Sequence, residues 1–146
     1  MQIKIEIDDS CKEPKVIILT DKMSQEVNDI VNRLSGEKPD ILAGFRDDTL
    51  TILDKSEILR VYAENGKVIV SAVSGEYTLR QRLYEVEERL AKDGFARISN
   101  SEIVNLKKVK QFDLSLAGTI CVMLVDGTVT YVSRRYVSKI KNILGI

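Results

Sequence analysis

The reading of this chain turns on the stretch Phe95-Ala96-Arg97-Ile98-Ser99-Asn100-Ser101-Glu102-Ile103-Val104-Asn105-Leu106. Two short apolar runs, Phe95 to Ile98 and Ile103 to Leu106, flank a polar turn, the pattern of extended segments joined by a tight reversal. Ser and Asn suit the turn because their side chains bond to nearby backbone groups. Downstream, Val109 to Leu116 and Thr119 to Val125 also read as extended. Asp126-Gly127 predicts a two-residue hairpin that pairs Ile120 to Val125 with Val129 to Val132. A helix follows, with Ser133 as its cap and Tyr136, Val137, Ile140, Ile143 and Leu144 as its buried face.

Upstream, Ile58 to Glu64 and Val68 to Val73 predict strands around Asn65-Gly66, a dipeptide that tolerates positive φ at both positions. Ser74-Gly75-Glu76 is a second turn. Thr78 with Gln81 forms a capping box, and Leu79, Leu83, Val86 and Leu90 give an amphipathic helix over 79–91 that Gly94 ends. Near the N-terminus, Ile3, Ile5 and Ile7 alternate and Val16 to Leu19 form an apolar run, which together predict two strands. Ser24 then caps a helix bearing Val27, Ile30, Val31 and Leu34, closed by Ser35-Gly36. Ile41 to Phe45 and Thr49 to Leu53 predict strands around Arg46-Asp47-Asp48. The expected class is α+β and mostly β: antiparallel sheets with an amphipathic helix and a C-terminal helix over 46–146, preceded by a small β-β-α-β layer over 1–45.

With 146 residues and 44% hydrophobic content, the chain supports one core, or one core and a small satellite. Basic and acidic residues balance at 22 each, but unevenly. Residues 1–45 hold 6 basic and 9 acidic side chains, and residues 46–146 hold 16 and 13. A basic second half suits contact with a polyanion. Histidine is absent, which removes the commonest general base at neutral pH and the commonest zinc ligand. Cys11 and Cys121 have no metal spacing, so no metal or other cofactor is expected. Met1-Gln2-Ile3-Lys4 alternates in polarity, unlike a secretory leader, and no apolar run reaches the length of a membrane span, so a cytoplasmic location is expected. A glycine-rich phosphate loop and a Gly-x-Ser-x-Gly elbow are also missing, and the expectation is that the chain is not an enzyme.

The Phe-x-Arg-x-x-x-Ser-x-x-Val-Asn run over Phe95 to Asn105, the Asp126-Gly127 hairpin and the following Val132-Ser133-Arg134-Arg135-Tyr136 resemble the signature of LytTR DNA-binding domains. The resemblance reaches upstream to about residue 57. Residues 1–45 resemble the short extension of stand-alone regulators of this family that lack a receiver domain. The resemblance implies an elongated, mostly β domain that reads two successive major grooves of double-stranded DNA from loops and strand ends, on paired repeats. By motif position it implies DNA contact from the hairpin at Asn65 to Lys67, from the Ser99-Asn100-Ser101 turn and from Arg134 and Arg135. Arg97 is a further candidate contact, and Lys107 and Lys108 become candidate phosphate contacts because the family places this surface near DNA. It further implies a homodimer and a small membrane-protein inhibitor as partners, with no small-molecule substrate.

Each residue also has a structural reading that stays open at this point. Asn65-Gly66 serves a hairpin whether or not it meets DNA. Arg97 suits an ion pair or a solvated face, Asn100 and Ser101 suit a turn, and Asn105 suits a tie on the bend after Val104. Lys107, Lys108 and Lys110 are in isolation a solvated cluster. A protein-interaction or ligand-sensing module centred on residues 1–45 is the alternative function.

Overall fold

The computed structural model describes residues 1–36 and 41–146 and divides into two compact units, Met1–Pro39 and Asp40–Ile146. In the first unit the described regular element is helix α1 (Gln25–Ser35). Ser24 caps it, its Oγ accepting the Val27 N–H at 3.3 Å, and Gly36 closes it at φ 68°. Residues 1–24 hold no strand, which corrects the two expected at 3–7 and 16–19. A strand requires a neighbour to satisfy its N–H and C=O groups, and here Ile3, Ile5 and Ile7 stand 81%, 85% and 97% exposed.

The second unit contains β1 (Leu42–Arg46), β2 (Thr49–Leu53), β3 (Ile58–Glu64), β4 (Lys67–Ala72), β5 (Gly75–Leu79), α2 (Leu83–Leu90), β6 (Phe95–Ser99), β7 (Glu102–Asn105), β8 (Val109–Asp113), β9 (Ile120–Leu124), β10 (Val129–Val132) and α3 (Arg134–Leu144). All described pairings are antiparallel. Seven strands form one sheet in the order β2-β1-β5-β4-β3-β7-β6, and three form a second in the order β10-β9-β8. Strand β1, read from sequence as part of an N-terminal layer, pairs instead with β2 and β5 of the large sheet.

Two cores use opposite faces of the large sheet. On one face Leu83, Val86 and Leu90 of α2 pack with Leu42, Val61, Val70, Tyr77, Leu79, Phe95 and Ile103. On the other, Leu59, Ala96, Ile98 and Val104 meet Ile120, Val122 and Leu124 of the small sheet, Val132 and Ile140 of α3. The register of β3 against β4 shifts between Ile58 and Arg60. Regular alternation would put Leu59 and Val61 on the same face; with this irregularity, Leu59 (4% exposed) enters one core while Ile58 and Val61 (both 0%) enter the other. Strand β7, covered on both faces, is buried along its whole length.

The expected helix over 79–91 is shorter than its apolar pattern suggests. Tyr77 and Leu79 alternate inward, the ladder pairs Leu79 with Val68, and residues 75–79 form β5. Helix α2 begins only after Arg82, whose N–H donates to Glu85 Oε1 at 3.3 Å, so the capping box predicted at Thr78 is not used. The C-terminal helix is as expected except at two points. The Ser133 hydroxyl makes no cap bond, and Ile143 is exposed while Ile140 carries the burial.

Candidate nucleic-acid interface

Antiparallel registers decide which loops share an end of the large sheet. Tyr62 near the end of β3 lies opposite Glu102 at the start of β7, and Val68 near the start of β4 lies opposite Leu79 at the end of β5. The β3–β4 hairpin, the Ser99-Asn100-Ser101 turn and the Arg80 to Arg82 linker therefore sit at one end. Asn65 and Gly66 form the hairpin tip at φ 51° and 74°. The Ala63 N–H donates to Ser101 O at 2.8 Å and fastens the hairpin to the turn. The Ser133 N–H donates to Ile98 O at 2.9 Å and brings the start of α3 to the same place.

The turn is held from inside by Arg97. Its side chain is 13% exposed. Nε donates to Ser99 O at 2.7 Å, Nη2 to Asn100 O at 2.6 Å, and Nη1 to Glu87 Oε1 of α2 at 3.4 Å. Charge-assisted bonds to two successive carbonyls fix the turn more firmly than neutral ones. Ser99 Oγ accepts the Ser101 N–H at 3.2 Å. Asn100 projects outward, and its Oδ1 accepts from Arg135 Nη1 and Tyr136 Oη, each at 3.4 Å. These long contacts link the turn to α3 while leaving Asn100 and Arg135 exposed and Tyr136 half-buried.

Arg134 and Arg135 occupy the first positions of α3, whose first turn holds no acid. Cations at a helix N-terminus oppose the macrodipole, and an anion placed there relieves both. Gly118, in the loop between β8 and β9, adopts φ 76°, and a Cβ there would lie 3.3 Å from Arg134 Nε. That loop therefore borders the same end. Its start is shaped by Asp113, whose carboxylate accepts the Ser115 N–H at 2.9 Å, and the Ser115 bonds hold the acid below its usual range.

Sequence reading missed two basic contributors, Arg80 and Arg82, because it placed this region in or beside a helix. Arg80 is exposed and lies 4.4 Å over the Phe45 ring. Only the register, not the residue pattern, brings them beside Lys67. The same end also carries an exposed acid, Glu64.

Lys107 and Lys108 do not join this group. They follow β7 at its far end, four residues along the strand, or roughly 13 Å away. The Lys107 stem lies against Gly94, and Lys108 is close enough to Asp54 to help lower that acid, after the larger effect of the Ser56 bonds. The acidic turn Asp47-Asp48 is at this end too, since β1 and β5 pair through Phe45 and Thr78. Asn105, buried at 2% exposure, is structural: Nδ2 donates to Ile58 O at 2.8 Å and Oδ1 accepts the Lys107 N–H at 3.1 Å. Glu102 was not anticipated as a buried acid. It is flanked by Arg60 Nη1 at 3.4 Å and Thr130 Oγ1 at 2.8 Å, joining the two sheets. No helix among the described residues is long and apolar enough to cross a membrane.

The family profile described as the LytTr DNA-binding domain matches residues 48–145. An uncharacterized HTH-type transcriptional regulator of Staphylococcus aureus (strain NCTC 8325 / PS 47) is 33% identical over all of this chain and 99% of its own length, as is one from strain COL. A solved LytTr DNA-binding domain from Bacillus cereus superposes with a TM-score of 0.69 at 26% identity, over 73% of this chain and 97% of that one. The helix-turn-helix label in the relatives' name has no counterpart in the second unit, where five strands separate α2 from α3. With its profile match, its full-length relatives and its fold in agreement, this chain belongs to the LytTr DNA-binding domain family.

Proposed function

We propose that the chain is a sequence-specific transcriptional regulator that presents the loop end of its large sheet to successive major grooves of duplex DNA, without a recognition helix. The observation that carries this reading is the convergence of three separate segments, Asn65–Lys67, Ser99–Ser101 and Arg134–Arg135, on one end of the second unit. Their chemistry is suited to the task. Asn100 matches the paired donor and acceptor of an adenine edge, and Arg135 matches the two acceptors of guanine. Lys67, Arg80 and Arg134 supply phosphate contacts that position without specifying. Arg97 acts from inside as a positioning residue. Lys107 and Lys108 lie outside the proposed contact surface.

Selection of a random duplex library on the purified protein at two salt concentrations, followed by sequencing, tests the proposal. Enrichment of a spaced repeat is the expected outcome. Salt-sensitive retention with no enriched sequence would reduce the surface to general polyanion binding, and no retention would favour the protein-interaction reading. A membrane-protein inhibitor remains a proposed partner on family resemblance.

A further inference from the structure

Unlike the second unit, the first exposes most of its apolar residues. Ile3, Ile5, Ile7, Val16, Ile17 and Leu19 are each at least 67% exposed, and α1 buries Val27 but leaves Leu34 60% exposed. Ile3-Lys4-Ile5-Glu6-Ile7 alternates as a strand does. Lys4 Nζ lies 3.0 Å from Glu6 Oε1, which places both charges on one side of the extended segment. The five residues are also self-complementary about Ile5. Antiparallel pairing with a second copy around a two-fold axis at Ile5 sets residue 3 opposite 7 and residue 4 opposite 6. Each Lys4 then faces Glu6 of the other copy, twice per dimer, and the isoleucines of both copies share the other face. Parallel in-register pairing would instead oppose Lys4 with Lys4 and Glu6 with Glu6, which costs energy directly across strands. A two-stranded ribbon is marginal by itself, so the joint isoleucine face also needs a cover. The apolar stripe of α1 can supply it.

We propose that Ile3–Ile7 is a self-pairing strand through which two copies of this chain associate before they meet DNA. Such an isologous contact closes at two copies and matches the two-fold use of a single surface. Charge complementarity in one register selects a second copy as the occupant.

Sedimentation equilibrium of the full chain in the absence of DNA, at low salt, tests this. The wild type is expected to dimerise with concentration. Glu6→Lys and Lys4→Glu each convert both cross-strand attractions into repulsions, and each is expected to raise the dimer Kd by about tenfold. Mixing the two variants restores complementary charges and should recover association, as should the double exchange Lys4→Glu/Glu6→Lys. These positions are exposed, so the circular dichroism of the monomer, taken at concentrations below the dimer Kd, should not change. A wild type that stays monomeric, a Kd that neither variant moves, or a loss that mixing does not recover would each overturn the proposal.

Discussion

Asn100 and Arg135 carry the readout in this account, and each is the kind of side chain whose loss costs about 1–3 kcal/mol of discrimination at a good base contact. Asn100→Ala and Arg135→Ala should each weaken binding to the selected sequence by that amount, measured by fluorescence anisotropy, with unchanged circular dichroism. Because the two side chains are bonded to one another, the double variant should lose less than the sum of the single losses. Arg97 belongs to a different class. Arg97→Ala removes charge-assisted bonds at a largely buried site and should lower unfolding free energy by about 1–3 kcal/mol in urea denaturation. Sequence alone left Arg97 open between DNA contact and ion pair, since an arginine beside a turn suits either. Asn105 was easier to read, because a polar side chain after a buried run has few uses other than a backbone tie. Glu102 was illegible as a partner of Arg60 and Thr130, as its partners come from residues far apart in the chain.

At the scale of elements, hairpin turns were the most legible features. Asn65-Gly66 and Asp126-Gly127 fall at the predicted reversals, with positive φ at Asn65, Gly66 and Gly127. Leu124 pairs with Thr128, however, so the second loop holds three residues, Val125 to Gly127, where two were expected. The helix over 79–91 was overcalled at its start because Thr78 and Leu79 also fit a strand, and pairing with β4 decided between the two. Residues 3–7 and 16–19 show the reverse case, with strand pattern and no strand. Placement of elements separates the lysines. Lys67→Ala should weaken binding to all sequences and flatten the salt dependence, whereas Lys107→Ala at the far end should leave affinity within about twofold, a difference visible in salt titrations. The loop bordering Arg134 makes a pH prediction. Bonds from Ser115 hold the folded Asp113 pKa below its ordinary 3.8. Its contribution is therefore present above 3.8 and is lost as pH falls through the lower folded value. The Asp113 carboxyl resonance should titrate below 3.8 in the wild type and move up toward it in Ser115→Ala.

Across the second unit, the folded chain gathers basic residues in a way that composition conceals. Lys67, Arg80, Arg82, Arg134 and Arg135 collect at the loop end beside the acids Glu64 and Asp113, whereas Asp47, Asp48 and Asp54 share the other end with Lys107 and Lys108. A net formal charge of zero is thus compatible with a polyanion surface. With Lys67, Arg80 and Arg134 directed at phosphates, log K should fall with log salt at a slope of roughly −3. Sequence revealed the mostly β class and most elements, and the family motif located the three converging segments. It did not reveal that Arg80 and Arg82 join them or that Lys107 and Lys108 stand apart, because that follows from strand order. The most direct test of the central claim is amide chemical-shift mapping on addition of the selected duplex. Perturbations are expected to concentrate at Asn65–Lys67, Ser99–Ser101 and Arg134–Tyr136, with Asp47, Asp48, Lys107 and Lys108 unmoved. Perturbations centred on the far end of the sheet, with those three segments silent, would contradict it.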